Sequence, residues 1–148
     1  MKAFPGQAPL HHEKADPLID ILQPDGWARP RGYANGTAAT GRVVFTAGQI
    51  GWNPRSCEFE TDDFAAQVGQ ALRNVAAVLA EAGARPEHVT RLTWYVTDRD
   101  AYLSAGRALG EVYRAIFGRH YPAMAVVIVA GLVEARAKVE IEATAIVP

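Results

Sequence analysis

Three kinds of group in this sequence are best suited to catalysis or ligand binding: a carboxylate, a phenol and a large aromatic ring. Glu140 carries a carboxylate that, in a partly closed cleft, can orient or deprotonate water. Tyr33 lies in a loop rich in Arg and Pro, where its hydroxyl can donate a hydrogen bond to a ligand oxygen or nitrogen. Trp52 offers a stacking wall for a flat ligand. Each residue also has a purely structural interpretation. Glu140 would belong to a solvated strand face, Tyr33 would pack as an ordinary aromatic side chain, and Trp52 would fill space at an interface between subunits.

Other reactive groups do not form a catalytic or metal-binding pattern. Cys57 is the single cysteine, and it lacks an adjacent base or cation that would make it a nucleophile. His11 and His12 are interpreted as solvated side chains on a polar arm. The sequence contains no glycine-rich phosphate loop, no His-Glu-x-x-His motif and no serine elbow. We therefore expect neither a metal nor a cofactor.

The overall composition indicates one soluble domain. The chain has 148 residues, of which 49% are hydrophobic and 21% are charged, so it is not a disordered sequence. Its net charge of -1 disfavours a nucleic-acid partner, and the lack of a long apolar run disfavours a membrane span. The N-terminus lacks the pattern of a signal peptide, so we expect a cytoplasmic protein. A domain of this size is expected to leave little room for a deep pocket of its own.

The first third of the chain predicts an arm followed by short strands. Residues 1–17 contain three prolines and are expected to form a flexible N-terminal arm, and residues 18–148 a single domain. A short apolar run at residues 18–22 predicts an edge strand. Residues 37–49 predict a hairpin whose second arm, a β-branched and aromatic run ending at Gly48, is buried.

Two amphipathic helices are predicted from apolar residues at three- and four-residue steps. The first is capped by Asp62 or Asp63 and ends at Gly83. The second is capped by Asp98 and ends at Gly118. Each helix has one apolar stripe, so each needs a sheet to cover.

Three further strands complete the predicted sheet. Residues 89–96 form one, with Trp94 and Tyr95 in the core. Residues 123–130 are a continuous apolar run, which predicts a strand buried on both faces, and residues 137–147 alternate between two distinct faces. The order of elements predicts an α+β fold with both helices on one face of a mixed sheet. Because no third helix remains for the other face, we expect copies of the chain to cover it.

Four blocks of this sequence are similar to one known family. They are Gly32-Tyr33-Ala34, the strand Val44 to Ile50 with its Gly48-Gln49 turn, the helix-Gly-Ala-strand unit from Gln67 to Asp98, and Tyr121-Pro122-Ala123 through Ala143. The pattern resembles the Rid family (reactive intermediate deaminases, YjgF-like) over roughly residues 30–148. The resemblance implies a chorismate-mutase-like Rid fold. It also implies a homotrimer with its sites in clefts between subunits.

The activity that the resemblance implies is hydrolysis of an imine or enamine with release of ammonia. Archetypal members act on dehydrated intermediates of pyridoxal-phosphate enzymes, such as 2-aminoacrylate, and hold the substrate carboxylate with an arginine. In this sequence Met124 stands at the position of that arginine. Three further polar positions of the family are replaced by Ala47, Gly110 and Val126.

The site residues implied by the resemblance fall into two sets. Tyr33 and Glu140 are retained and are the expected catalytic residues. The expected ligand-binding residues are Gly48, Gln49, Trp52, Met124, Arg31 and Arg119. In this second set the two arginines flank the matched segments, and either is a candidate to replace the missing cation.

These observations predict a Rid-type hydrolase with an altered substrate. The substrate would be an imine, an enamine or a related unsaturated metabolite, bulkier or less anionic than the archetypal one. Loss of the arginine pair is expected to weaken an acrylate-like ligand by at least about tenfold. The alternative is a homotrimer that binds a small molecule without chemistry. In either case we expect the pocket to lie between chains, with Tyr33 and Glu140 contributed by different subunits or facing one another across the seam.

Overall fold

The computed structural model describes residues 18–148, so the predicted N-terminal arm over residues 1–17 lies outside the described residues. The described chain has the predicted α+β organisation. In chain order its elements are β1 (Asp20–Leu22), β2 (Gly36–Ala38), β3 (Arg42–Phe45), β4 (Gln49–Ile50), α1 (Phe64–Glu81), a 3₁₀ turn (Pro86–His88), β5 (Val89–Val96), α2 (Arg99–Ser104), α3 (Gly106–Phe117), β6 (Ala123–Ile128) and β7 (Val139–Val147).

The main sheet is mixed, as predicted. Its strands lie in the order β3-β7-β5-β6, and the short β4 also pairs with β7. β5 and β6 are parallel, whereas the pairs that β7 makes are antiparallel. A parallel pair needs a crossover connection, and the segment containing α2 and α3 supplies it. β1 and β2 form a separate antiparallel ribbon.

The core lies between one face of this sheet and the two longer helices. α1 begins at the predicted cap, where the Asp63 carboxylate accepts a hydrogen bond from the Ala66 N–H (2.9 Å). Its fully buried residues recur at helical spacing: Val68, Ala71, Leu72, Val75 and Leu79. They pack with alternate residues of the central strands, among them Leu92, Trp94 and Val96 of β5 and Val139 and Ile141 of β7.

The opposite sheet face, called the open face here, carries Arg91, Thr93 and Tyr95 of β5 and Glu140 and Glu142 of β7. These side chains are exposed or half-buried. The predicted core position of Tyr95 is therefore wrong, because alternation along β5 puts Trp94 under the helices and Tyr95 on the other side. None of the helices in residues 18–148 is long and apolar enough to cross a membrane.

The predicted hairpin over residues 37–49 is also wrong. β2 pairs with β1, and β3 pairs instead with the end of β7, where Arg42 lies opposite Val147. Gly41 explains the choice, since its φ of +150° suits glycine and a Cβ there would overlap the Val147 carbonyl. β3 is consequently a sheet edge, and Phe45 is 73% exposed rather than buried.

Two further elements differ from their prediction for local reasons. The second helix is divided into α2 and α3, and the Ser104 hydroxyl at the division donates to the Asp100 carbonyl (2.7 Å), a bond that competes with the helical ladder. β6 is not buried on both faces, because it is the last strand of the sheet, and Val127 and Ile128 are exposed.

Candidate active site

The chain contains a pocket of its own, although a domain of this size was expected to leave little room for one. It has a volume of about 500 Å³ and lies between α2 and α3 on one side and β5 and β6 on the other. Its walls include the residues Tyr33, Trp94, Tyr102, Tyr113, Tyr121 and Met124, and we call it the aromatic pocket. A pocket of this volume is in the range that holds small metabolites.

The loop carrying Tyr33 is attached to the start of β6. The Ala34 N–H donates to the Pro122 carbonyl (2.9 Å), and Ala34 forms a parallel bridge with Ala123. These two contacts place Tyr33 and Met124 on the same pocket. Tyr33 is 43% exposed, so part of this residue reaches solvent where it lines the pocket. Arg31 also lines the pocket, from the same loop.

Stacked tyrosines form the wall of the pocket on the α3 side. The rings of Tyr113 and Tyr121 lie 5.3 Å apart and nearly parallel, at 12°. The Tyr113 hydroxyl donates to the His120 carbonyl (2.5 Å), and burial raises the pKa of Tyr113. This phenol is therefore neutral and already hydrogen-bonded, so its function is to hold the turn that leads into β6.

Apolar side chains and a glycine line the pocket on its β6 and α3 sides. Met124 and Val126 line it from β6 and also pack against the core. Gly110 lines it from α3, and the Arg114 Nη1 lies 3.0 Å from the place that a Cβ on Gly110 would occupy. The missing side chain at Gly110 thus leaves a space beside the pocket, and the Arg114 guanidinium lies next to this space. Sequence reasoning missed Arg114, although its spacing of four residues from Gly110 on a helix signals such a contact.

Glu140 and the Gly48-Gln49 turn form a second cluster, on β7 and β4. Ile50 pairs with Glu140 and Gln49 pairs with Ile141. A Cβ on Gly48 would overlap the Oε1 atom of Glu140, so the carboxylate lies directly over the glycine. This close approach needs a residue without a side chain, which explains glycine at this turn.

The two carboxylates of the open face have different surroundings. The Tyr95 hydroxyl donates to the Glu142 Oε1 atom (2.8 Å), and this hydrogen bond raises the pKa of Tyr95. Glu140 receives no side-chain hydrogen bond from residues 18–148. Glu140 is therefore the carboxylate of this pair that remains available to a water molecule or a ligand.

The aromatic pocket and the Glu140 cluster do not meet within one chain. Met124 lies opposite Leu92 on the helix-covered face, whereas Glu140 lies opposite Tyr95 on the open face. Their strands are separated by β5, which puts them about 10 Å apart across the sheet in addition to the difference in face. No small ligand can contact both groups of the same chain.

Two of the predicted ligand-binding residues lie outside both clusters. Trp52 packs on Phe59, with ring centroids 6.1 Å apart, and its carbonyl accepts a hydrogen bond from the Asn74 Nδ2 (3.0 Å). Arg119 is exposed and does not line the aromatic pocket. Among residues 18–148, no three His, Cys, Asp or Glu side chains are grouped so as to hold a metal ion.

Sequence reasoning did not identify Trp94, Tyr102 or Tyr113 as pocket residues. All three fit the strand or helix patterns expected of a core. Periodicity identifies which side of an element is apolar, but it cannot distinguish a side chain that fills the core from one that lines a cavity beside it. The division between α2 and α3 was the missing information, because the cavity lies beneath it.

Comparison with known proteins gives matches over most of the chain. Residues 28–147 match the family described as Endoribonuclease L-PSP. The chain is 35% identical over 109 residues to the 2-iminobutanoate/2-iminopropanoate deaminase of Escherichia coli K12, covering 72% of this chain and 80% of the relative. It is 31% identical over 105 residues to the human protein of the same name, covering 71% and 73%.

A solved structure also resembles this fold closely. The crystal structure of YyfB from Yersinia pestis, a protein of unknown function in the conserved Rid family, superposes with a TM-score of 0.78. The two chains are 29% identical, and the match covers 88% of this chain and 99% of the other.

Proposed function

Because the chain belongs to the Rid (YjgF-like) family, we propose that it hydrolyses an imine, an enamine or a related unsaturated small metabolite. Water adds to the carbon of the C=N bond, and the resulting carbinolamine expels ammonia and leaves a carbonyl compound. The deaminase names of the E. coli and human relatives support this reaction class. The chain acts as a cytoplasmic homotrimer.

The separation of the two residue groups is the observation that carries this proposal. Tyr33 lines the aromatic pocket, and Glu140 lies on the open face beyond β5. A ligand that needs both is therefore bound between copies, with Tyr33 from one and Glu140 from the next. The same association covers the open face, where Phe45 and Val127 leave apolar surface exposed.

Each retained residue has a role that its surroundings support. The Glu140 carboxylate orients the attacking water, since no side-chain hydrogen bond from residues 18–148 occupies it. Tyr33 lines the pocket and is partly exposed, and its hydroxyl donates to the ligand. Backbone N–H groups beside Gly48 polarise the ligand next to Glu140.

The proposed substrate differs from the archetypal 2-aminoacrylate. A thioether cannot pair with a carboxylate, and Met124 presents one where the archetype has its arginine. The cation that lines the pocket is Arg31, which is exposed and lies on a loop. We therefore propose a substrate that is bulkier or less anionic, with Arg31 as the residue nearest to any acidic group.

A second candidate function is binding without chemistry. The apolar lining of the aromatic pocket favours it, because Met124 and Val126 offer no acid or base and the Tyr113 hydroxyl is bonded to His120. In this alternative the homotrimer holds a small apolar or aromatic metabolite.

An imine-hydrolysis assay distinguishes the two functions. Carboxylated imines are generated in situ by an amino-acid oxidase and uncarboxylated imines by a flavin-dependent amine oxidase, and ammonia release is followed in the presence of the full-length protein. We expect acceleration over buffer by the wild type, its loss in Glu140→Gln, and its retention in the matched control Glu142→Gln. If the protein accelerates ammonia release from none of these imines, the hydrolase function is wrong and the binding function remains.

A further inference from the structure

One residue that lines the aromatic pocket, Trp94, carries a buried polar atom without a hydrogen-bond partner. Trp94 is 4% exposed, and its indole Nε1–H is the one buried side-chain polar atom in residues 18–148 that has no hydrogen-bond acceptor. An indole nitrogen is a donor only, so another donor cannot satisfy it. Burial of an unpaired donor costs free energy, which a ligand with a suitable acceptor would recover.

The walls around Trp94 favour a flat and apolar ligand. The stacked rings of Tyr113 and Tyr121 form one wall, and Leu109 and Met124 also line the pocket. Aromatic rings prefer to pack against other rings and against polarisable sulfur. Arg31 is the one charged residue among those lining the pocket, and it is exposed.

From these two observations we propose that the aromatic pocket binds an aromatic ring that bears a hydrogen-bond acceptor, and that the Trp94 Nε1–H donates to that acceptor. The ring enters between α3 and β6, within a single chain. This inference extends the proposed function by assigning a substrate class, namely imines attached to an aromatic group. The binding itself does not depend on turnover.

Three neutral probes separate the ring from the acceptor. Acetophenone has both, ethylbenzene has the ring without the acceptor, and acetone has the carbonyl without the ring. Each is titrated into ¹⁵N-labelled full-length protein carrying Trp27→Phe and Trp52→Phe, because neither of these residues lines the aromatic pocket. Trp94 then gives the single indole N–H resonance.

We expect acetophenone to bind and to move the Trp94 indole resonance downfield, as a new hydrogen bond does. Ethylbenzene should bind without that downfield shift, and acetone should not bind at the same concentrations. Trp94→Phe should weaken acetophenone binding roughly fivefold more than it weakens ethylbenzene binding, since only acetophenone loses a hydrogen bond.

A blocking variant tests the location. A Cβ on Gly106 would meet nothing within 4 Å, so Gly106→Leu fills pocket space without disturbing the backbone. Gly131→Leu is the matched control, since Gly131 is equally open and lies away from the pocket. Ring binding should disappear in the first and persist in the second.

Two results would overturn the inference: an unchanged Trp94 resonance at saturating acetophenone, or acetophenone binding that survives Gly106→Leu. Neither result bears on ammonia release from imines. Conversely, a protein that releases no ammonia but binds acetophenone through Trp94 retains this inference and loses the proposed function.

Discussion

Met124 is the residue that most distinguishes this chain's pocket from an anion-binding one. It lines the aromatic pocket from β6 and packs against the core, so it contributes apolar surface where a cation would hold a carboxylate. Its place beside Tyr33 follows from the attachment of Ala34 to Pro122. Met124 therefore keeps the β6 wall of the pocket uncharged, while Arg31 lines it from the loop.

Placing a cation at position 124 should change the substrate preference. We expect Met124→Arg to raise kcat/KM for short carboxylated imines by at least about tenfold, because a charged hydrogen bond contributes about 1.5–3 kcal/mol. The matched control is Met124→Gln, which adds polarity without charge. The comparison uses carboxylated and uncarboxylated imines in the ammonia assay, and an equal change for both kinds would contradict this account of Met124.

Gly48 controls the position of Glu140. Since a Cβ on Gly48 would overlap the Glu140 carboxylate, Gly48→Ala should displace that side chain while the fold is kept. We expect it to lower kcat to nearly the level of Glu140→Gln, with a change in Tm of only a few degrees. Gly131→Ala, in open space, is the control. Wild-type activity in Gly48→Ala would show that the carboxylate position does not matter.

At the scale of elements, α3 packs in the core and also forms one wall of the aromatic pocket. Tyr113 connects it to the turn before β6 through the hydrogen bond to His120, and Tyr121 stacks on the same ring. The pocket wall therefore depends on a phenol that must stay protonated.

This dependence predicts a loss of stability at high pH. Burial raises the pKa of Tyr113 above its ordinary value near 10, so above that pH the folded state keeps a proton that the unfolded state has lost. The free energy of unfolding should then fall by up to about 1.4 kcal/mol per pH unit from this group. In urea denaturation between pH 8 and 11, the free energy of unfolding should fall less steeply with pH in Tyr113→Phe than in the wild type. Equal slopes for the two proteins would refute this role of Tyr113.

Local sequence pattern could predict the elements that depend only on neighbouring residues, but not which strands pair with each other. The apolar stripe and the N-terminal cap of α1 and the alternation of β7 follow from residues close in sequence, and all three are present as predicted. The partner of β3 was not predictable in this way, because it lies at the other end of the chain, opposite Val147. The division at Ser104 needed the observation that its hydroxyl bonds to the Asp100 carbonyl.

The site was predictable to a similar extent. The family resemblance predicted one site that contains Tyr33, Met124, Gly48 and Glu140. Within one chain, Tyr33 and Met124 line one pocket, and Glu140 lies against Gly48 in a separate cluster. The role of Trp94 was not predictable, since a tryptophan under a helix has the same pattern whether or not a cavity lies beside it.

At the scale of the whole molecule, the two residues proposed as catalytic require a second copy of the chain. Tyr33 and Glu140 are separated by β5 and by the thickness of the sheet, so a single chain has two half-sites. Joining half-sites from different copies by rotational symmetry gives each assembly as many complete clefts as chains.

Mixing two inactive variants tests this central claim most directly. Tyr33→Ala removes one half-site and Glu140→Gln the other, and each homogeneous protein should be inactive in the ammonia assay. After equal amounts are unfolded and refolded together, random assembly leaves about a quarter of the clefts with both native residues. We predict recovery of about a quarter of wild-type activity for the mixture. Activity no higher than that of either variant alone, from refolded mixed assemblies, would contradict the shared site.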